Sequence, residues 1–269
     1  MTISKSEIKH YKIKGYVTPS WQLPSKQINH LKKNINIIIE NNSKIRPEQI
    51  VCPHIEGGTK GELNNSNYKY FLKLAHTNEI INMVKPILGN DIILWGSQIF
   101  SKPAFDGMEV PMHQDSYYWP IEPMSTCSVW IAADRATKIN GCLTVIEGSH
   151  NSETYKHVIK NNKTALNEAI DDKYIKNKIK KHIILEPGQL SLHHSNLIHG
   201  SDKNNSPYRR TGIVFRYMSS KSKFNRKAKN HNQKDGHSVN YNKRPIWLIN
   251  GNKNNNTLVK TFSKNKNLL

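Results

Sequence analysis

The sequence predicts a mainly β domain, a sandwich or barrel with flanking helices, on three observations. Short apolar, β-branched and aromatic runs fill the stretch from Ile92 to Met218. Turn signals such as Asn140-Gly141 and Pro187-Gly188 separate them. No regular helical pattern alternates with these runs, which argues against a parallel α/β sheet.

The elements follow in order. The first ninety residues read as helical and irregular. From Ser25 to Asn41, Ile28, Leu31, Ile35 and Ile38 recur at helical spacing, with Lys and Asn between them. A second helix is expected from Asn78 to Leu88, closed by Gly89, and Pro86 near its end should cut it short. Strands are expected at Ile92 to Phe100, Thr126 to Ala133, Cys142 to Ile146, His182 to Leu185, Gln189 to His193 and Arg209 to Met218. Tyr155 to Lys178 is polar and reads as a helical insertion or loop. After Ser219 the chain turns to Lys, Asn, His and Ser as far as Arg244, and the apolar island Pro245 to Ile249 should pack back on the core. The expected organisation is one domain over 1–250, with a helical region over 1–90, a β core over 91–219 and an extension over 220–250. A basic flexible tail, 251–269, follows.

Composition narrows the function classes. The formal charge is +20, but the 40 basic residues comprise 33 Lys and 7 Arg, and Lys, Asn and Ile are abundant together. AT-rich codons encode all three. A polyanion-binding surface favours Arg, whose fork meets phosphate, with aromatics interleaved. The charge is therefore read as composition bias, and nucleic acid is not an expected partner. Cys52, Cys127 and Cys142 are odd in number and form no C-x-x-C pair, against a disulfide framework or zinc ribbon and for a reducing compartment. The N-terminus has no apolar signal region and no run is long enough to span a membrane, so a cytoplasmic protein is expected.

The segment Val110-Pro111-Met112-His113-Gln114-Asp115 carries the first candidate chemistry. On a strand, residues two apart share a face, so His113 and Asp115 can reach one ion. Imidazole and carboxylate with open positions left over suit the two-His-one-carboxylate triad for Fe(II). The second His lies within Leu192 to Ser201. His199 is the best choice, since Leu197-Ile198 precede it and Gly200-Ser201 follow, while His193 and His194 fit core or surface roles. Arg210 lies eleven residues beyond His199 at the start of a strand. Such an arginine can hold the far carboxylate of a dicarboxylate cosubstrate in a bidentate way. Arg210, Gly212, Val214 and Arg216 share one face of that strand.

These residues belong to an ordered set that resembles the phytanoyl-CoA dioxygenase family. The set runs through Trp95-Gly96, Phe100 to Pro103, Val110 to Asp115, Tyr118-Trp119-Pro120, Ser128 to Ala132, Asn140 to Leu143, Gly148-Ser149-His150, Glu186-Pro187-Gly188, Ile198 to Ser201, Arg209-Arg210 and Arg216-Tyr217. The resemblance implies a double-stranded β-helix, the jelly-roll or cupin-like barrel. It implies His113, Asp115 and His199 as iron ligands and Arg210 as the clamp on 2-oxoglutarate, with Ser201 beside it and Trp130 and Ser116 lining the cosubstrate pocket. Glu147 stands where relatives often have Pro, and Met112 where many have Trp. Halogenating relatives carry a small residue in place of the ligand Asp, so Asp115 implies hydroxylation.

The expected function is therefore an Fe(II)- and 2-oxoglutarate-dependent dioxygenase that uses O2 to hydroxylate a C–H bond of a small molecule. Gln98, Lys102, Tyr117, Tyr118, Trp119 and Arg216 are candidates to face the substrate. Lys102 and Arg216 would suit an anionic group, as in 2-aminoethylphosphonate. The competing readings are a non-catalytic metal-binding cupin and an oxygenase acting on RNA or protein. Lys156 to Lys181 is placed between the two halves of the motif, where a lid would lie.

Overall fold

The computed structural model describes residues 3–59, 61–160, 164–228, 241–242, 244–252 and 258–261. Its helices are α1 (Lys5–Lys14), α2 (Ser25–Asn41), α3 (Tyr68–Ala75) and α4 (Asn78–Leu88). Its strands, in chain order, are β1 (Tyr16–Val17), β2 (Ile50–Val51), β3 (Ile92–Lys102), β4 (Val110–His113), β5 (Ile121–Glu122), β6 (Thr126–Ala132), β7 (Leu143–Val145) and β8 (His157–Ile159). They continue as β9 (Glu168–Ile170), β10 (Lys181–Ile183), β11 (Leu190–His194), β12 (His199–Ser201), β13 (Arg210–Ser219), β14 (Lys223–Phe224), β15 (Ile246–Asn250) and β16 (Val259–Thr261).

Two sheets make the jelly roll, and they face each other without closing into a barrel. The larger runs β1-β11-β6-β13-β3-β15-β16, with β2 also on β3, and the smaller runs β10-β7-β12-β4. Every pairing in them is antiparallel except β15 with β16. Trp130, Ala132 and Val214 of the large sheet meet Leu143, Val145 and Ile183 of the small one in a buried layer between them.

The helices cover the outer face of the large sheet. Leu31, Ile35 and Ile38 of α2 are fully buried in the same cluster as Val129, Ile131, Leu190, Leu192, Ile213 and Phe215 of the strands. Burying one such side chain contributes about 1.5–3 kcal/mol, so the stripe read from the sequence is what holds α2 in place. Helix α4 runs its full expected length with Pro86 inside it. Pro86 cannot donate to the carbonyl four residues back, yet the helix runs on through it to Leu88, so the expected truncation does not occur. Helix α1 is not legible in the sequence: only Tyr11 on it is buried, and a Ser4–Glu7 capping box sets its start.

The alternation of β13 fixes the two faces of the large sheet. Thr211, Ile213, Phe215 and Tyr217 point to the helices, whereas Arg210, Gly212, Val214 and Arg216 point to the small sheet. In β3 a bulge interrupts this pattern. Arg216 pairs with Gly96 and Tyr217 with Leu94, which leaves Trp95 as the extra residue. The bulge puts Trp95 and Gly96 on the inner side together, a re-aiming typical of strands beside a site.

The segment 155–178 departs from expectation. Its sequence reads as helix or loop, but β8 and β9 pair antiparallel as a separate hairpin, His157 opposite Ile170. Aromatic, β-branched and stacking residues decide the outcome over the polar average, with Tyr117 stacked on His157 at 4.0 Å. Pro245 to Ile249 does pack back, as β15 at the β3 edge. Within the expected tail, Val259–Thr261 pairs parallel with β15. Residues 253–257 and 262–269 of that tail, and 229–240 of the extension, lie outside the described residues. All three cysteines are buried and free. No described helix is long and apolar enough to cross a membrane.

Candidate active site

His113 ends β4 and His199 begins β12, and the two are direct cross-strand partners in the small sheet. Their ring centroids are 4.2 Å apart. Asp115 does not lie on the strand, contrary to the expected i, i+2 placement. It opens a short 3-10 turn, Asp115–Tyr117, and reaches the histidines from there. The strand ends because this turn is held from elsewhere: the Ser116 amide donates to Ser195 O at 3.0 Å. Asp115 Oδ1 is 3.6 Å from His113 Nε2, and Oδ2 is 3.9 Å from His199 Nε2. Ligand atoms of all three buried residues lie within 4.8 Å of one another, the one such cluster among the described residues.

The hydrogen bonds of the rings settle what these atoms can do. His113 Nδ1 donates to Pro111 O and His199 Nδ1 to Leu197 O, both at 2.9 Å. A carbonyl can only accept, so Nδ1 carries the proton and Nε2 presents a lone pair. Two lone pairs therefore face a carboxylate in a buried pocket, an arrangement that a divalent cation satisfies. Burial raises the Asp115 pKa, but His113, His199 and Arg216 outweigh it and hold the carboxyl below its ordinary range. Burial pushes His199 well below its usual value, which keeps it neutral. The donor set fits Fe(II) with three positions left open.

Across a cavity from this cluster stands Arg210. It is buried, and burial pushes its pKa down to about 10. Nη2 donates to Gly141 O at 2.6 Å and to Ser201 Oγ at 3.5 Å, and Nη1 donates to Phe100 O at 3.4 Å. Nε has no partner, so one buried donor is left for a ligand. The guanidinium lies 5.5 Å from the Trp130 ring centroid. Trp130, Ser201, Phe100, Leu143 and Val214 line the same cavity.

A second cavity shares His113, Asp115, Phe100 and Arg216 with the first. Gln98, Tyr118 and Trp119 line it as the sequence suggested. Three other candidates stand elsewhere. Lys102 is fully buried, and its Nζ donates to Met108 O at 2.6 Å, Ser201 O at 3.3 Å and Asp202 O at 2.5 Å. Burial and the Arg210 charge lower its pKa, but three carbonyls each accept a hydrogen from Nζ, which holds the group as the ammonium. Lys102 lines neither cavity. Ser116 Oγ bonds Asn196 Oδ1 at 2.8 Å, within the network that fixes the Asp115 turn, and it too lines neither. Tyr117 packs on His157 at the hairpin.

Several cavity residues escape a reading of the sequence. His193 lines the first cavity, with its ring 4.9 Å from His199 and its Nδ1 unpartnered. Trp95, Tyr241 and Arg244 line the second. The usable signal for Arg244 is its identity: in a chain that uses Lys 33 times and Arg 7 times, an Arg is a marked choice.

Comparison with known proteins agrees with this geometry. A family model described as phytanoyl-CoA dioxygenase matches residues 11–212. A probable phytanoyl-CoA dioxygenase of Caenorhabditis elegans is 26% identical over 237 residues, covering 80% of this chain and 75% of that protein. A probable alpha-ketoglutarate-dependent hypophosphite dioxygenase of Stutzerimonas stutzeri is 28% identical over 150 residues, covering 54% of this chain and 51% of that protein. The chain spans less than half the length of the mammalian peroxisomal relatives it also matches. Among solved structures, EctD from S. alaskensis with 2-oxoglutarate and 5-hydroxyectoine superposes with a TM-score of 0.64 at 19% identity, covering 81% of this chain and 77% of that one. With the matched region spanning most of the sequence and the His-Asp-His cluster at its centre, the chain belongs to the phytanoyl-CoA dioxygenase family, a family of oxygenases with the jelly-roll fold.

Proposed function

We propose that the protein is an Fe(II)- and 2-oxoglutarate-dependent dioxygenase that hydroxylates a C–H bond of a small molecule. One observation carries the reading: the His113–Asp115–His199 cluster and Arg210, whose buried Nε–H has no partner, line a single cavity. A pure metal-binding cupin has no use for that buried, under-satisfied guanidinium.

Fe(II), when bound, would supply O2 activation. The overall reaction balances with 2-oxoglutarate as reductant. One oxygen atom enters the substrate C–H bond as hydroxyl, the other appears in succinate, and CO2 leaves.

The chain supplies position. His113 Nε2, His199 Nε2 and one Asp115 oxygen would hold the metal on one face. Arg210 would receive the far carboxylate of the cosubstrate, helped by Ser201 Oγ, while Trp130 limits its swing. Phe100, Leu143 and Val214 keep water out of the space between. Gln98, Tyr118, Trp119 and Arg216 face the second cavity, where the substrate would lie. A small anionic metabolite fits this end, and organophosphonates such as 2-aminoethylphosphonate head the screen. The Stutzerimonas relative, named for hypophosphite, supports that choice.

The test is succinate release from 2-oxoglutarate by Fe(II)-loaded protein, with and without candidate substrates. Wild type should release succinate, and His199→Ala should lower the rate by about 100-fold or more, since a lost ligand removes most bound iron. Equal release from the two proteins would contradict the reading.

A further inference from the structure

The second cavity holds a feature that metal and cosubstrate leave unused. Arg216 from β13 and Arg244 from the extension both line it. Arg244 is 3% exposed, and its Nε and Nη2 have no partner; the same is true of Arg216 Nε. Each guanidinium is clamped by aromatic rings. Arg244 lies 5.7 Å from the Trp95 centroid and 5.1 Å from that of Tyr241, and Arg216 lies 5.5 Å from that of Trp119. Arg226 Nη1 donates to Arg244 O at 2.6 Å and so anchors the extension that delivers Arg244. Gln98 Oε1 accepts from Arg216 Nη2 at 3.2 Å.

The charges do not balance. Among the described residues that line it, Asp115 is the single carboxylate, and the metal would claim it. Two like charges in one cavity also oppose each other, and the Arg244 charge adds to burial in lowering the Arg216 pKa. Buried N–H donors without acceptors are costly, and two cations sharing a cavity call for an anion between them.

We propose that Arg216 and Arg244 form the anion subsite of the substrate pocket, taking a compact oxyanion, carboxylate or phosphorus-based, on the substrate end opposite Arg210. Both residues lie beyond the region matched by the family model, which ends at residue 212. Selectivity is thus written in the last strand of the core and in the C-terminal extension. The aromatic rings Trp95, Trp119 and Tyr241 fix the two forks and leave room for a short apolar or uncharged chain reaching the metal. Calling the ligand a substrate rests on the oxygenase reading, but the subsite itself can be tested without turnover.

The probe is inorganic phosphate, with acetate and acetamide as a charged and neutral pair, titrated calorimetrically into metal-free full-length protein. Wild type should bind phosphate and acetate, and acetamide at least 10-fold more weakly. Arg244→Gln and Arg216→Gln should each weaken phosphate by at least 10-fold. Arg244→Lys, which keeps the charge but not the fork, should fall between and guards against misfolding of the Gln variant. Arg210→Ala should retain phosphate binding. Loss of binding in Arg210→Ala alone would place the anion at the cosubstrate clamp and overturn the proposal, as would no binding by wild type. Failure of the oxygenase reading would appear separately, as absent succinate release in a protein that still binds phosphate through this pair.

Discussion

Gly212 lies directly beneath the Trp130 ring: a Cβ on residue 212 would sit 2.1 Å from Trp130 Cζ2. The two residues are diagonal neighbours on adjacent strands, with Gly212 opposite Ala132 and Val214 opposite Trp130. The absent side chain lets the indole lie flat over β13 and reach Arg210. Gly212→Ala should therefore push Trp130 off the clamp and destabilise the fold by about 1–3 kcal/mol, as overpacking does. A lowered urea midpoint with weakened 2-oxoglutarate binding checks this. Unchanged cosubstrate affinity would separate Trp130 from the clamp.

Lys102 serves the site from behind. Its ammonium gathers the carbonyls of Met108, Ser201 and Asp202, the last two beside the Arg210 contact. Lys102→Met keeps the volume but leaves three carbonyls without this donor. Loss of at least about 2 kcal/mol of stability is expected, because each orphaned buried polar group costs about 1–3 kcal/mol. Denaturant unfolding of the two proteins decides it.

The hairpin β8–β9 is tied to the site by Tyr118 Oη, which donates to Glu168 O at 2.7 Å. Leu166, on the loop leading to β9, lines the substrate cavity. Tyr118→Phe removes one hydrogen bond of about 1 kcal/mol, so amides of 164–170 should exchange about five-fold faster. Exchange confined to that segment supports a cover that can open, and no change would assign the hairpin a fixed role.

His54 gives the stability a pH dependence. It is fully buried, with Nδ1 2.6 Å from Ser97 Oγ, and burial, with the Arg244 charge, pushes its pKa down to about 3. Its unfolded value is near 6.5, so the unfolded chain binds the extra proton first. Stability is then full above about pH 6.5 and falls as the pH drops from there toward 3, by at most about 1.4 kcal/mol per unit from this group. His54→Gln should flatten that stretch of the urea-midpoint profile relative to wild type. An identical slope in the two proteins would rule His54 out.

Much of the site is legible in the sequence because it sits on strands with strict alternation. Arg210, Val214 and Arg216 follow from period two once β13 is placed, His199 from its setting between Leu197-Ile198 and Gly200-Ser201, and α2 from its stripe of Ile and Leu. Asp115 comes out right in its place beside the histidines but wrong in local structure, since a tertiary bond to Ser195 ends the strand before it. Trp95 is hidden by the bulge in β3, which sequence alternation cannot reveal. Arg244 is hidden because it reaches the cavity through a segment whose composition reads as surface. Lys102 alternates onto the inner face as expected, yet its long stem carries the ammonium into a nest of carbonyls and not into the cavity.

The most direct test of the account is an anaerobic titration of Fe(II) and 2-oxoglutarate into wild type and Arg210→Ala, followed by the weak visible charge-transfer band of the chelate. Wild type should develop the band, and Arg210→Ala should need about 10- to 100-fold more 2-oxoglutarate to reach it, the loss expected for a charge-assisted bidentate contact. No band in folded, metal-loaded wild type, or equal titrations of the two proteins, would contradict the iron site or the clamp.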